Sequence, residues 1–125
     1  MSRKDVSFTV PGDPAVKGRP RFTRYGRAYT PKKTADAEKV IAEAATLAFD
    51  GFPFTEPVGI ELTFFCATKR RSDGDNLVKL VLDAMNTIAY TDDYLVEEWR
   101  VRVYRKREGE APRTEVLVYA LDDGL

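Results

Sequence analysis

Asp73-Gly74-Asp75-Asn76-Leu77-Val78-Lys79-Leu80-Val81-Leu82-Asp83-Ala84-Met85-Asn86-Thr87-Ile88 carries an apolar stripe at Leu77, Leu80, Val81, Ala84, Met85 and Ile88. These positions follow the i, i+3, i+4, i+7, i+8, i+11 order without a gap, so the stretch predicts an amphipathic helix with one face on a core. On the opposite face, at about 100° per residue, fall Asp75, Lys79, Asp83 and Asn86. The chain thus spends one side of this helix on packing and keeps a charged side for something else.

Upstream, Val58, Ile60, Leu62, Phe64 and Cys66 alternate, and Phe65 makes the end of the run apolar on both faces, which predicts an internal strand. Cys66 reads as a core side chain of that strand rather than a reactive thiol. Before it, Thr34 after Pro31 predicts a helix N-cap. Ala37, Val40, Ile41, Ala44 and Ala48 follow on one face, and Asp50-Gly51 provides the stop, with Gly51 as a left-handed cap. Residues 11–33 hold Pro, Gly and many basic residues, which predicts a long loop with a small hairpin around Tyr25-Gly26; a loop of that length is usually functional. Residues 6–10 predict a short opening strand.

Downstream, residues 98–106 predict a strand with Trp99, Val101 and Val103 inward and Arg100 and Arg102 outward. Residues 114–121 predict a last strand, with Val116, Val118 and Ala120 on one face, after a loop at residues 107–113. The order is βαβαββ: an α+β single domain, a mixed sheet with two helices packed on one side.

At 125 residues there is room for one core, small enough that dimerisation would add to its stability. No apolar run is long enough to span a membrane, and the single cysteine excludes an intramolecular disulfide and suits a reducing, cytoplasmic compartment. The absence of histidine is the most restrictive fact. It removes every histidine general base, every Ser-His-Asp or Cys-His arrangement and the usual zinc sets, leaving carboxylates, lysine and a hard cation. Net charge is zero, yet Lys17, Arg19, Arg21, Arg24, Arg27, Lys32 and Lys33 occur with no acid among them. Lys69-Arg70-Arg71 and the group Arg100, Arg102, Arg105, Lys106 and Arg107 form two further clusters, so the charge is polarised.

Asp73 just before the helix sits where free N–H groups favour a carboxylate, and Gly74 lets the chain turn sharply between the two acids. Two carboxylates so placed suit Mg²⁺, which takes oxygen ligands and keeps water and phosphate in its shell. The same residues also read as an N-cap with an Asp75-Lys79-Asp83 ion-pair ladder. Likewise Tyr90-Thr91-Asp92-Asp93-Tyr94 is either a turn or a loop returning a third acid to the helix start.

Taken together, several stretches resemble the RusA family of Holliday-junction resolvases of bacteria and their prophages. They are Gly12-Asp13-Pro14, Lys17-Gly18-Arg19-Pro20-Arg21, Tyr29-Thr30-Pro31, Asp73-Gly74-Asp75-Asn76-Leu77-Val78-Lys79, Asp83-Ala84-Met85-Asn86 and Asp92-Asp93. The resemblance covers roughly residues 7–121, and residues 1–125 are accordingly expected to form one RusA-like endodeoxyribonuclease domain. It implies a cytoplasmic, bacterial or phage-encoded homodimer, dependent on Mg²⁺ with Mn²⁺ as a substitute, that nicks a four-way junction symmetrically in DNA recombination and repair. It implies metal ligation by Asp73, Asp75 and Asp93, with Asp92 as the alternative third acid, and an essential Lys79.

On that reading the three acids hold a cation that activates water and polarises the phosphate, while Lys79 stabilises developing charge or orients the water. Asp83 is the expected partner of Lys79. Lys17, Arg19, Arg21, Arg24, Arg70 and Arg71 are expected to contact DNA phosphates. Phe22, Tyr25 and Tyr29 either stack on unpaired bases or pack the loop. The alternatives are a nuclease selective for forks or flaps, and a non-catalytic protein that binds branched DNA.

Overall fold

The stripe from Leu77 to Met85 is buried along α2 (Gly74–Met85) in the computed structural model, which describes residues 3–18 and 21–121. The other elements are β1 (Val6–Pro11), β2 (Arg21–Phe22), β3 (Ala28–Tyr29), α1 (Lys32–Phe49), β4 (Val58–Cys66), β5 (Val96–Arg105) and β6 (Arg113–Ala120). The architecture is α+β: two helices on a mixed four-stranded sheet, with β2 and β3 forming the small hairpin around Tyr25-Gly26.

The sheet order is β1-β6-β4-β5, with β4 antiparallel to β6 and parallel to β5. Ile60, Leu62 and Phe64 of β4 meet Val116 and Val118 of β6 on the inner face, where they join Ile41, Ala45 and Phe49 of α1 and Leu77, Leu80 and Val81 of α2 in one core. β4, like β6, is an interior strand with a neighbour on each edge, which suits its largely apolar side chains.

The parallel pairing of β4 and β5 fixes the position of everything functional. A parallel connection must carry the chain back along its crossover element before the next strand can start. So α2 begins at the C-terminal end of β4, and residues 86–95 lie at the opposite end of the sheet, where Val96 pairs with Val58.

Some expectations are corrected. α1 begins at Lys32, with Pro31 as the N-cap residue at φ −55°, so Thr34 is inside the helix and buried. Proline's fixed φ already suits a helix start, and this frees the Thr34 hydroxyl to accept the Gly18 N–H at 3.1 Å. The buried face of α1 is Thr34, Ile41, Ala45 and Phe49; Val40 is exposed, because the contact with β1 and α2 lies rotated from the stripe the alanines suggest. Asp50 itself takes the left-handed cap conformation at φ 51°, followed by Gly51 at φ 81°. Ile88 lies beyond the end of α2. Cys66 is half-buried at a cleft rather than in the core. Trp99 and Val101 do share the inward face with Ile60 and Leu62, but they stay 51% and 42% exposed, because β5 is an edge strand that the helices leave uncovered.

Candidate functional site

Three loops leave the sheet at the end where β4 finishes. Pro11 pairs with Arg113, Phe65 with Arg113 and Tyr104, and Cys66 with Arg105, so residues 12–18, 67–73 and 106–112 emerge side by side. Each stretch bears basic residues. Hydrogen bonds then tie the loops together. Asp13 Oδ1 accepts the Ala67 N–H at 2.8 Å, the Lys17 N–H donates to the Asn76 carbonyl at 2.9 Å, and the Gly12 N–H donates to the Pro112 carbonyl at 3.0 Å.

Between the first two of these loops and the start of α1 opens a cleft of about 890 Å³, lined among others by Arg21, Lys33, Arg70, Arg71, Asp73 and Asn76. The start of α2 holds Asp73 in that lining and Asp75 just beyond it. Asp73 is the N-cap residue of α2 in extended conformation; its carbonyl accepts from Asn76 and Leu77 N–H, while its carboxylate stays exposed and meets only Asn76 Nδ2 at 3.5 Å. Asp75 accepts the Asn76 N–H at 3.0 Å and is likewise exposed. The backbone before them is clamped by Arg105, whose guanidinium donates to the Ser72 hydroxyl and, at 2.7 Å, to the Ser72 carbonyl. Gly74 lies against β5: a methyl there would meet Val103 Cγ2 at 3.9 Å.

One turn along α2, Lys79 Nζ contacts Asp83 at 3.1 Å, as the i, i+4 spacing leads one to expect. Asp83 also holds Lys17 at 3.2 Å, and Lys17 pairs with Glu38 of α1. Burial works against the Lys17 charge, but the two carboxylates outweigh it and its pKa is raised. Lys17 is therefore a neutralised tie between loop and helices, whereas Lys79 stays 59% exposed, with its head towards solvent.

Asp93 does not join this site within one chain. It opens a short 3₁₀ turn (Asp93–Leu95) in which Asp92 Oδ1 caps Tyr94 N–H, and its own N–H donates to Asn86 Oδ1 at 3.0 Å. Asn86 closes α2, eleven residues after Asp75, which is ~16 Å along a helix axis. Among the described residues no group of three acids is close enough to hold a metal ion. Asp73 and Asp75 alone offer oxygen donors suited to a hard cation, but they are not a complete protein set. The β4–α2–β5 crossover was the sequence signal for this separation.

Of the other expected residues, Arg21, Arg70 and Arg71 line the cleft, Arg24 stands at the hairpin tip with its guanidinium on Tyr25, and Arg19 lies outside the described residues. Phe22, Tyr25 and Tyr29 are all exposed, so they do not pack the loop. Sequence reading had not found the roles of Arg105 as a clamp or Glu38 as a partner of Lys17; both depend on pairing between distant elements. Burial raises the Cys66 thiol pKa, so this cysteine is not poised as a nucleophile.

Residues 11–119 match the family model described as Endodeoxyribonuclease RusA. Over 137 residues the chain is 27% identical to a Bacillus subtilis (strain 168) protein described as "Uncharacterized protein YqaN", an alignment covering 90% of this chain and 94% of that protein.

Proposed function

The chain belongs to the RusA endodeoxyribonuclease family, and from that premise we propose that it is a divalent-metal-dependent, homodimeric endonuclease that resolves four-way DNA junctions by paired nicks. The observation that carries the proposal is the gathering, at one end of the sheet, of an open cleft lined by Arg21, Lys33, Arg70, Arg71 and Asp73, with the exposed Asp75 two residues on at the start of α2. Phosphate backbones are bound by such arginines without regard to sequence, and Arg21, Arg70 and Arg71 lie within reach of a strand entering the cleft. Arg24, Phe22, Tyr25 and Tyr29 on the exposed hairpin offer a cation and stacking surfaces for bases unpaired at a branch point.

Lys79 is the cation placed to meet a phosphate beside the acids, and Asp83 orients it. With no histidine in the chain, neither the water nor the leaving oxygen has an imidazole to exchange protons with. Asp73 and Asp75 supply two carboxylates of the proposed cation site.

The test is to incubate the protein with synthetic four-way junction, fork, flap and duplex DNA, with and without Mg²⁺. Symmetric nicks confined to the junction and requiring Mg²⁺ are expected, and Asp75→Asn should still bind the junction without cutting it. Preference for forks or flaps would reassign the substrate. Binding with no cleavage of any DNA would remove the enzymatic reading.

A further inference from the structure

We propose that Arg102 and Arg107, gathered on the Tyr104 ring on the sheet face away from the helices, form a second phosphate site that grips the backbone of a DNA arm outside the cleft. This deepens the reading above, and it rests on the chain being a DNA-binding nuclease.

Alternation along β5 sends Trp99, Val101 and Val103 to the helical face, so Arg100, Arg102 and Tyr104 stand on the other. Of the basic cluster at residues 100–107, Arg105 clamps Ser72, while Arg100, Arg102, Lys106 and Arg107 take no part in the cleft lining. On the outer face one row of the sheet is aromatic. Phe65 of β4 is directly opposite Tyr104 and stacks on it, with ring centroids 4.9 Å apart and planes 11° from parallel. Arg113 of β6, opposite Phe65 on its other side, lies over the Phe65 ring at 3.7 Å. Arg102 and Arg107 come over Tyr104, at 4.8 and 5.7 Å from its centroid.

The three arginines differ in what else they hold. Arg113 meets Glu110 at 2.8 Å and Glu115 at 2.9 Å, so its charge is answered within the chain. Arg102 and Arg107 have no carboxylate partner among the described residues, and Arg107 donates only to the neutral Arg105 carbonyl, at 2.6 Å. A guanidinium laid on a ring gives up its face and keeps its edge N–H groups, the side that takes a phosphate in a fork. One tyrosine thus holds two uncompensated cations ready for an anion.

Position identifies the anion. The Phe65–Tyr104 row lies at the end of β4 where residues 67–73 and 106–112 emerge. Arg70 and Arg71 in the first of these loops line the cleft, and Lys106 and Arg107 open the second. Basic side chains therefore run from the cleft around the end of the sheet to its outer face. A DNA strand carries a phosphate every ~3.4 Å along its axis, so a polyanion leaving the cleft finds cations along the whole of that path. An acidic protein segment would match the sign of charge, but the rings that could anchor it are already covered by guanidinium groups.

The experiment compares the unsubstituted protein with an Arg102→Gln, Arg107→Gln double variant in binding a synthetic four-way junction, without Mg²⁺ so that no strand is cut. Loss of two phosphate contacts should lower the slope of log affinity against log salt by ~1.8, so the gap between the two proteins narrows roughly tenfold between about 50 and 200 mM salt. The phosphates of one arm are then replaced in turn by uncharged methylphosphonates. Replacement at one or two positions away from the branch should weaken the unsubstituted protein and leave the double variant unaffected. Circular dichroism should show both proteins equally folded, since both side chains are exposed. A folded double variant with the unsubstituted slope and the same response to every methylphosphonate overturns the proposal and leaves the outer face to an acidic protein segment. Unsubstituted protein that binds junction no better than duplex overturns the junction reading instead, and the same methylphosphonate series on duplex then decides whether the outer face holds phosphate.

Discussion

Asp83 is the residue through which packing reaches chemistry. One of its oxygens holds Lys79 and the other holds Lys17, so a single side chain positions the exposed cation beside the cleft and ties down the basic loop. Both pairs are partly exposed, so their contribution to stability is small, under ~1 kcal/mol. Asp83→Asn should therefore leave the melting temperature nearly unchanged while lowering junction nicking at saturating DNA by about tenfold, a change of ~1.4 kcal/mol in the barrier. Nicking at the unsubstituted rate would mean that Lys79 needs no anchor. The bond to Lys17 has a defined pH window: the raised lysine pKa means its contribution is complete below the unfolded value of 10.5 and is lost only as pH rises through the higher folded value. Tyr90 presents the opposite case, a residue that matters for stability alone. It is fully buried, with its hydroxyl donating to the Leu82 carbonyl at 2.9 Å, and burial, with the charges of Asp93 and Asp83 adding to it, raises its pKa. Tyr90→Phe leaves that carbonyl without its partner and should cost about 1–2 kcal/mol in a urea melt, with nicking unaffected at temperatures where the protein is folded.

Among the elements, α2 was readable because its signal is contained within itself: a helix that buries one face shows its period in its own sequence. The hairpin at Tyr25-Gly26 was readable for a similar reason, since Gly26 adopts φ 79°, which glycine takes without strain. The elements misread were those whose exposure is decided by a neighbour. Val40 and Ile41 are adjacent and equally apolar, and only the position of β1 and α2 determines which one is buried. Trp99 alternates correctly with Arg100, but alternation gives the face of a strand and says nothing about whether a helix covers it. Of the candidate site, the Asp73–Lys79 segment was legible and the place of Asp93 was not, because a loop reading ignores the direction in which the crossover returns the chain. The long basic loop is held as an element by one close approach. A Cβ on Gly18 would come within 2.7 Å of Thr34 Oγ1, which accepts the Gly18 N–H. Gly18→Ala should therefore detach the loop from α1, weakening junction binding several-fold with little loss of helix signal in circular dichroism. Substituting Arg70 and Arg71 together by Ala acts on a different term, and should lower the slope of log affinity against log salt by ~0.9 per lost duplex phosphate contact.

At the level of the whole molecule, the homodimer proposed above needs a contact surface, and the uncovered edge strand β5, with Trp99 and Val101 exposed, offers one whose pairing has a geometric consequence. The twofold axis that joins two strands antiparallel within one sheet stands perpendicular to that sheet, so both helical layers and both clefts stay on the same side. Trp99 is the only tryptophan in the chain, so the pairing has its own optical reporter. In one copy its ring is half in water, and a contact across that edge would cover it. Serial dilution should therefore shift its emission to the red over the same concentration range in which sedimentation shows dimer giving way to monomer. Val101→Lys, which places a charge on the same edge without touching the cleft, should move both transitions together to higher protein concentration. An emission maximum that stays fixed while the dimer dissociates would locate the contact on another surface, because a tryptophan leaving an apolar interface for water cannot keep its spectrum.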